Sequence, residues 1–331
     1  MTSFLTAANT EQEIVNHDTS RLRLISGTSN PALAKEIADY LQIKAVPVVS
    51  KRFADGELYV QIQQSIRGCD VFLIQPTCAP VNDSLMELMI MVDACKRASA
   101  RQITAVIPYY GYARADRKTA GRESITAKLT ANLLVTSGVD RVLAMDLHSA
   151  QIQGYFDIPC DHIYGSPVLV DCLSNKDLGQ IVVVSPDVGG VARARAFAKQ
   201  MKDAPLAIID KRRSDHNVAE SLTVIGEVAN KTAILIDDMI DTGGTICAGA
   251  ELLRKEGANR VIACASHAVF SPPAYERLSS KGLFEKVIVT NSIPVPSNQF
   301  FPQLEILSVA NMLGEAIWRI HEESSVSSMF R

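Results

Sequence analysis

The stretch TAILIDDMIDTGGTICAGAE, residues 232–251, joins a continuous apolar run to a helical pattern through three acids and a glycine pair. An apolar run such as residues 233–236, without polar alternation, is typical of a parallel strand that is buried on both faces. The helix predicted over residues 243–256 ends before Gly257, and glycine is well suited to a helix C-terminus. Strand, turn and helix in this order predict an α/β protein with mostly parallel sheets.

The same alternation continues on both sides of this stretch. Apolar runs predict strands at residues 22–25, 46–49, 59–62, 71–75, 103–107, 142–145, 181–184, 206–209, 222–225, 233–236, 261–265 and 287–289. Capping residues, prolines and apolar spacing predict helices that open at 30–31 and 166–167 and that cover residues 82–98, 124–137 and 189–201. Because the rhythm repeats, we predict one domain over residues 21–165, a second over residues 166–331, and a polar extension over residues 1–20.

Composition excludes several classes of function. The 331 residues are 47% hydrophobic, enough for a large core, and the net charge of -3 gives no general attraction for nucleic acid or an anionic membrane. The longest apolar runs are too short to span a bilayer, and residues 1–20 lack the apolar core of a secretory signal. The cysteines form no C-x-x-C motif, which favours a reducing compartment. We expect a cytoplasmic protein that binds neither nucleic acid nor membrane.

The turn within residues 232–251 has the chemistry of a sugar-phosphate site. Backbone N–H groups and hydroxyls at the predicted helix N-terminus come from Thr242, Gly243, Gly244 and Thr245. Such donors, together with the helix dipole, favour a phosphate monoester, and glycine permits its close approach. Asp237 and Asp238, at the end of the strand, can accept hydrogen bonds from ribose hydroxyls, and Asp241 can reach the sugar or an associated metal. The alternative is an acidic first turn that only stabilises the helix.

Two further strand ends carry candidate metal ligands. His148 follows the run 142–145, and Asp187 follows the run 181–184, where doubly wound sheets place their ligands. Mg²⁺ prefers oxygen ligands and keeps several waters, so one carboxylate, one imidazole and substrate phosphates make a sparse but workable set. A structural role for the histidine is the alternative.

Two polar segments have both a functional and a structural interpretation. The segment FADGE contains Phe53, Asp55, Gly56 and Glu57. It is either a solvated turn or an adenine site, in which an aromatic ring lies beside two acceptors. The basic triplet Lys211, Arg212 and Arg213 follows the run 206–209 without a helical pattern, which predicts a loop. That loop is either a solvated charge run or a source of cations for a transferred diphosphate.

Taken together, the motifs resemble one family along nearly the whole chain. The stretch 232–251 resembles the 5-phosphoribosyl-diphosphate loop shared by phosphoribosyltransferases and ribose-phosphate diphosphokinases. The segments that select the second group are FADGE at 53–57, NDSLMELMIMVDACKRASA at 82–100, YARADRK at 112–118, MDLHSAQIQGYF at 145–156, SPDVGG at 185–190, DKRR at 210–213 and VTNSIP at 289–294. The sequence is identified as a member of the ribose-phosphate pyrophosphokinases of the phosphate-activated type. This resemblance implies an α/β fold of two related phosphoribosyltransferase-like domains, each a mostly parallel sheet flanked by helices.

The resemblance also implies roles for the candidate residues. His148 and Asp187 would hold Mg²⁺, and Lys211 with Arg213 would close over the substrates and stabilise the transition state. Ribose 5-phosphate would be bound by Arg213 together with the acids and the turn of residues 237–245.

For ATP, the resemblance implies a site shared between subunits. The segment 53–57 would reach into the ATP site of a neighbouring subunit, and Arg114 would meet the triphosphate. The next position is usually Gln in the family and is Ala115 here. One adenine or phosphate hydrogen bond is therefore either missing or supplied by another group.

Regulation and assembly are implied by the same resemblance. An intersubunit pocket for activating inorganic phosphate or inhibitory ADP would be formed by residues that look unrelated in sequence, namely Ser65, Arg67, Gln153, Asp161, Ser325 and Ser327. The alternative for these residues is surface turns and a frayed C-terminus. The family also implies a homohexamer assembled from dimers.

The implied reaction transfers the β,γ-diphosphate of MgATP to the 1-hydroxyl of ribose 5-phosphate. Its products are AMP and 5-phosphoribosyl 1-diphosphate for the biosynthesis of nucleotides, histidine and tryptophan. A phosphoribosyltransferase would instead consume that sugar with a nucleobase, but it usually needs one α/β unit and no separate ATP pocket. A silent regulatory relative is opposed by the presence of Lys211, Arg213 and His148. A transcription regulator would need a basic helix-turn-helix segment, which the sequence lacks.

Overall fold

Residues 19–212, 221–280 and 282–330 are described by the computed structural model. The strands are β1 (Leu22–Ser26), β2 (Val48–Arg52), β3 (Leu58–Ile62), β4 (Asp70–Ile74), β5 (Gln102–Ile107), β6 (Arg141–Met145), β7 (Cys160–Ile163), β8 (Ile181–Ser185), β9 (Leu206–Arg212), β10 (Ser221–Ile225), β11 (Thr232–Ile240), β12 (Arg260–Ala268), β13 (Lys286–Thr290) and β14 (Leu304–Leu307). The helices are α1 (Pro31–Tyr40), α2 (Val81–Arg97), α3 (Thr126–Ser137), α4 (Ser166–Ser174), α5 (Val191–Gln200), α6 (Gly244–Lys255), α7 (Ala274–Leu278) and α8 (Ala310–His321). Short 3₁₀ helices cover Ala150–Tyr155, Ser297–Gln299 and Val326–Phe330.

The chain divides into two compact units, each built on its own sheet. Among the described residues, the first unit contains 19–164, 292–294 and 309–330. The second unit contains 165–212, 221–280, 282–291 and 295–308. The main chain therefore passes from the first unit to the second between Tyr164 and Gly165.

The first unit is built on a parallel sheet in the order β1-β4-β5-β6-β7. Phe72 and Leu73, at successive positions of β4, are 1% and 0% exposed. Because successive side chains of a strand point to opposite faces, both faces of this sheet are covered. Among the helices of this unit, α3 ends where Gly138 adopts a φ of 113°. The prediction of doubly buried parallel strands is confirmed here.

The second unit is built on a larger sheet in the order β10-β9-β8-β11-β12-β13-β14. The edge strand β10 is antiparallel to β9, and the other neighbouring pairs are parallel. In the middle, β8 and β11 lie side by side, with Leu235 paired to Val184. The residues that follow these two strands therefore leave the sheet at the same edge, where open α/β sheets bind ligands. The predicted mostly parallel α/β class is confirmed.

The strands predicted at 46–49 and 59–62 are present, but they are not buried on both faces as predicted. They correspond to β2 and β3, an antiparallel hairpin outside the two larger sheets, in which Val48 pairs with Ile62. Val49 is 40% exposed. The prediction of burial was wrong for this pair because a short apolar run looks the same in a hairpin as in a buried strand.

The C-terminal helix α8 belongs to the first unit, although the sequence placed residues 166–331 in one domain. It packs on α1, where a β-carbon at Gly314 would lie 2.3 Å from Cδ1 of Tyr40, so the glycine lets the ring approach. At its other end, His321 Nδ1 lies 3.0 Å from Asp70 Oδ2. Contacts between residues so distant in the sequence leave no local pattern, so they could not be predicted.

The structure also contains elements that the sequence did not predict. These are β7, β14, α7 and α8. In the described part of the chain, no helix combines the length and the apolarity that a membrane span requires.

Candidate functional site

The turn between β11 and α6 presents backbone donors at the ligand-binding edge of the second sheet. Gly243 has a φ of 73°, a left-handed conformation that is strained for residues with a β-carbon, and α6 begins at the next residue. No described side chain caps this helix N-terminus. The first N–H groups of α6, including those of Gly244 and Thr245, lie where no helical carbonyl can accept from them. With the helix dipole, they favour an anion at this position.

A cation from α7 holds this turn. Nη1 of Arg277 donates a hydrogen bond to the carbonyl oxygen of Thr242 over 3.0 Å. A β-carbon at Gly244 would lie 3.2 Å from the same nitrogen, so the second glycine leaves room for the guanidinium. Arg277 could not be predicted from the sequence, because its segment carries no motif and only the fold brings α7 to the turn.

The acids at the end of β11 differ in exposure. Asp238 is buried, whereas Asp237 and Asp241 are partly exposed. The backbone N–H of Asp238 donates to Oδ1 of Asp237 over 2.9 Å. Burial, followed by the charge of the Asp238 carboxylate, raises the pKa of Asp237 above its ordinary value. The partly exposed acids are the ones placed to accept hydrogen bonds from a sugar.

Arg193 of α5 reaches both members of the acid pair. Its Nη1 lies 3.0 Å from Oδ1 of Asp237 and 3.1 Å from Oδ1 of Asp238. The positive charge opposes the rise in the pKa of Asp237. The sequence analysis missed this arginine as well, since α5 and β11 are far apart in the chain.

Asp187 lies in the turn that leads from β8 into α5. Its Oδ1 accepts a hydrogen bond from the N–H of Gly190 over 2.8 Å, and the hydroxyl of Ser185 donates to its carbonyl oxygen over 2.7 Å. Asp187 is exposed. The turn is therefore fixed while the carboxylate stays accessible.

His148 has the corresponding place after β6 in the first unit. The backbone that leads to it is held by β7: the N–H of Asp146 donates to the carbonyl oxygen of Ile163, and the N–H of Leu147 donates to Nε2 of His162, both over 3.0 Å. Asp146 has a φ of 40°, so the chain turns sharply at the strand end. His148 itself is exposed.

The predicted Mg²⁺ ligands His148 and Asp187 belong to different units. Within residues 19–212, 221–280 and 282–330, no group of three or more His, Cys, Asp or Glu side chains could hold a metal by itself. Both predicted ligands are exposed. Each of these side chains can give Mg²⁺ one ligand, and Mg²⁺ usually keeps several waters and takes further ligands from substrate phosphates.

The predicted adenine segment forms the loop of the β2–β3 hairpin. The N–H of Phe53 donates to the carbonyl oxygen of Glu57 over 2.8 Å, and the N–H of Glu57 donates to Oδ1 of Asp55 over 3.1 Å. Gly56 has a φ of 96°. The ring of Phe53 is 50% exposed and makes an edge-to-face contact with Tyr59. A loop of fixed backbone thus presents an aromatic face that can stack on a base.

Arg114 and Ala115 follow β5 in an irregular segment. Arg114 is exposed, and Ala115 is partly buried. The N–H of Ala115 donates to the carbonyl oxygen of Tyr112 over 2.9 Å, and its own carbonyl oxygen accepts from the N–H of Ala127 over 3.1 Å. Both backbone groups of Ala115 therefore have partners within the protein, and its methyl side chain has no hydrogen-bonding atom.

The basic triplet is only partly described. Lys211 and Arg212 are the last residues of β9, and Lys211 pairs with Leu222 of β10. The prediction of a loop was wrong for these two residues, because β10 supplies backbone pairing that the sequence does not reveal. Arg213 lies outside the described residues.

The predicted effector residues belong to the first unit. Ser65 and Arg67 are exposed between β3 and β4. Asp161 of β7 forms an ion pair of 2.6 Å with an arginine of β6, and Nε2 of Gln153 lies 3.2 Å from Nδ1 of His162. The structure thus places two of these residues beside β7.

The C-terminal segment contacts the residue that follows β7. Ser325 and Ser327 have hydroxyl oxygens 3.0 Å apart. Three residues further, Phe330 makes an edge-to-face contact with Tyr164, whose ring centroid is 4.5 Å from that of His162. The two serines therefore belong to a segment that is anchored next to the residues contacting Gln153.

Known protein families match both ends of the chain. Residues 22–138 match the N-terminal domain of ribose phosphate pyrophosphokinase. Residues 214–331 match the phosphoribosyl synthetase-associated domain.

Individual relatives extend this similarity over nearly the whole chain. A ribose-phosphate pyrophosphokinase of Prochlorococcus marinus is 85% identical over 327 residues, which cover 99% of this chain and 100% of the relative. One of Gloeobacter violaceus is 70% identical over 311 residues, covering 94% of this chain and 93% of the relative. The crystal structure of phosphoribosylpyrophosphate synthetase from Mycobacterium smegmatis has a TM-score of 0.87 and 45% identity, covering 92% of this chain and 100% of that one. The chain belongs to the ribose-phosphate pyrophosphokinase family.

Proposed function

We propose that this protein transfers the β,γ-diphosphate of ATP to ribose 5-phosphate and releases AMP and 5-phosphoribosyl 1-diphosphate. The observation that carries the proposal is the uncapped N-terminus of α6 behind a glycine turn, directly after the acids of β11, in a member of this family. A phosphate site and a hydroxyl-binding site lie side by side there, as a phosphorylated pentose requires.

The sugar phosphate is bound by the second unit. The 5-phosphate accepts hydrogen bonds from the turn, formed by Thr242 and Gly243, and from the first residues of α6, Gly244 and Thr245. Asp237 and Asp241 accept from the ribose hydroxyls. Asp238 is buried, and it forms an ion pair with Arg193 next to these two acids.

Diphosphoryl transfer needs alignment and charge neutralisation more than a strong base. The oxygen of the 1-hydroxyl attacks the β-phosphorus, the bond to the α,β-bridging oxygen breaks, AMP leaves with that oxygen, and the hydroxyl proton passes to solvent. Lys211 and Arg213 neutralise the charge that moves with the diphosphate. Arg213 also contributes to ribose 5-phosphate binding.

His148 and Asp187 are the residues that would hold Mg²⁺. Bound there with the nucleotide, the metal would neutralise phosphate charge and polarise the β-phosphoryl group. The protein's own contribution is to keep both side chains exposed at strand ends, Asp187 through its bond to Gly190 and His148 through the contacts that fix Leu147.

ATP is bound through the hairpin loop and Arg114. The exposed ring of Phe53 stacks on adenine, Asp55 and Glu57 accept from its amino group, and the left-handed Gly56 sets the turn. We propose that this loop serves the ATP site of a neighbouring subunit in a homohexamer. The hydrogen bond that Gln usually makes in the family at the position of Ala115 is either missing or supplied by another group.

The effector pocket is proposed from residues beside β7 and before β4. Inorganic phosphate would activate and ADP would inhibit through Ser65, Arg67, Gln153, Asp161, Ser325 and Ser327. The C-terminal segment packs against Tyr164, which supports its place in such a pocket. All cysteines are free, which supports a reducing, cytoplasmic compartment.

The reaction is tested by incubating the purified protein with ATP, Mg²⁺ and ribose 5-phosphate. We expect AMP in a one-to-one ratio with 5-phosphoribosyl 1-diphosphate, and no product from nucleobases. ADP as the nucleotide product would contradict diphosphoryl transfer. Activity of the protein on its own would also exclude a silent regulatory relative.

A further inference from the structure

Arg193 is a cation inside the proposed sugar site that the proposed reaction does not use. Its Nη1 lies 3.0 Å from Oδ1 of Asp237 and 3.1 Å from Oδ1 of Asp238, so one nitrogen is shared by two carboxylates. The two acids are adjacent in β11, whereas the arginine comes from α5. The contact therefore joins two elements that both border the sugar site.

The charges of these three side chains depend on one another. The side chain of Asp238 is only 3% exposed, and a buried carboxylate is costly unless a cation pairs with it. Its negative charge also acts on Asp237, because the two carboxylates approach the same nitrogen of Arg193 over 3.1 Å and 3.0 Å. Arginine stays protonated at every physiological pH, so it compensates both acids permanently.

Arg193 also lies close to the turn that carries Asp187. A β-carbon at Gly190 would be 2.9 Å from Oγ of Ser185, 3.5 Å from Oδ1 of Asp187 and 3.9 Å from Nη1 of Arg193. The absence of a side chain at Gly190 thus leaves space that the Asp187 carboxylate and the guanidinium both border. A substitution of Arg193 would remove its ion pairs with Asp237 and Asp238.

We propose that Arg193 is a positioning residue for ribose 5-phosphate, which holds Asp237 and Asp238 in place before the sugar enters and takes no part in the transfer of the diphosphate. The proposal rests on the proposed function of the β11 acids. It assigns the arginine to sugar binding, since it forms ion pairs with both acids of β11 and belongs to neither the ATP loop nor the basic triplet. Its loss weakens sugar binding and leaves ATP binding unchanged.

The test compares Arg193→Gln, Arg193→Lys and the matched control Arg195→Gln, an exposed arginine of the same helix. Calorimetry measures ribose 5-phosphate binding, and kinetics give KM for each substrate. We expect Arg193→Gln to weaken sugar binding by about tenfold or more, the effect of a lost charge-assisted hydrogen bond. Lysine should restore most of it, because one nitrogen makes both contacts. KM for ATP should stay within about twofold, and the control should match the wild type.

Two outcomes would overturn the proposal while the wild type remains active: unchanged sugar binding in Arg193→Gln, or an equal rise of both KM values. If the wild type forms no AMP from ribose 5-phosphate, the proposed function itself fails.

If Arg193→Gln does not fold, the variant Arg193→Gln/Asp238→Asn replaces it, since it removes the buried Asp238 carboxylate together with its cation. We expect the double variant to bind the sugar more weakly than Asp238→Asn alone. Equal binding by these two variants would also overturn the proposal.

Discussion

The strands β6 and β11 are both followed directly by an aspartate, but the chain leaves them in different ways. After β11, residues 241–243 turn directly into α6, a 12-residue helix whose first backbone N–H groups are the proposed phosphate donors. After β6, Asp146 turns sharply, and a 3₁₀ helix follows instead. There, the exposed His148 is the proposed metal ligand, and the backbone before it is held by β7.

This difference indicates that phosphate binding and metal binding need different structures at the end of a strand. A phosphate dianion is best bound by many weak donors of fixed geometry, which a helix N-terminus provides. A hydrated cation needs a side chain whose position is fixed by neighbouring contacts. Substitutions can test this difference between the two strand ends. The first concerns Lys211, which lies at neither of them.

The largest effect is expected for Lys211→Ala. Lys211 would neutralise the moving diphosphate, so kcat should fall on the order of 10³-fold, the scale of a lost cation in phosphoryl transfer. The fold should persist because the backbone pairing of Lys211 with Leu222 does not require the lysine side chain. Steady-state AMP formation and thermal unfolding measure the two effects, with the exposed Lys199→Ala as control. Normal turnover would contradict this role and show that the residues after β6 and β11 are enough for catalysis without Lys211.

Gly243→Ala tests whether the backbone turn after β11 binds the phosphate. The left-handed φ of 73° should strain alanine by about 1–2 kcal/mol and shift the donors of α6. KM for ribose 5-phosphate should rise by about tenfold or more, and KM for ATP should change little.

The matched control is Gly257→Ala, at the other end of α6, where φ is 87°. It should lower the melting temperature by a similar amount and leave both KM values unchanged. Equal effects of the two variants on KM would refute a phosphate site at the turn.

His162→Phe tests the strand end after β6. The variant removes the acceptor for the N–H of Leu147, so His148 loses its fixed backbone. The Mg²⁺ concentration for half-maximal activity should rise by about tenfold, as for other losses of support to a metal ligand. His162→Gln keeps an acceptor and should recover part of the loss. A rise in KM for ribose 5-phosphate alone would contradict this assignment.

The smallest effect is a pH dependence of sugar binding. Burial and the Asp238 carboxylate raise the pKa of Asp237, so this acid holds its proton at a higher pH than an exposed aspartate. Ribose hydroxyls donate to the ionised form, so affinity should rise a few-fold between about pH 6 and about pH 9, with release of a proton on binding. Calorimetry in buffers of different ionisation enthalpy counts that proton.

Asp237→Asn provides the control, because it leaves the ionisation of the sugar phosphate as the only contribution. A pH profile of this variant that matches the wild type would exclude Asp237 as the source.

Local pattern predicted the strands that carry the site. The continuous apolarity of residues 233–236 and 181–184 was enough to place β11 and β8, and the glycine pair was enough to start α6 within one residue. These features are encoded within a few neighbouring residues, so the sequence alone reveals them.

The contacts between distant segments could not be predicted. Arg193 and Arg277 meet the β11 site only because α5 and α7 pack beside it. The pairing of Lys211 with Leu222 and the approach of Tyr40 to Gly314 likewise depend on chain segments that no local pattern joins.

Titration calorimetry of the wild type with ribose 5-phosphate tests the central claim most directly. Heat that saturates at one sugar per chain, with much weaker binding of ribose without its phosphate, is the predicted result. No heat from ribose 5-phosphate, either alone or with magnesium and a non-hydrolysable ATP analogue, would contradict the account.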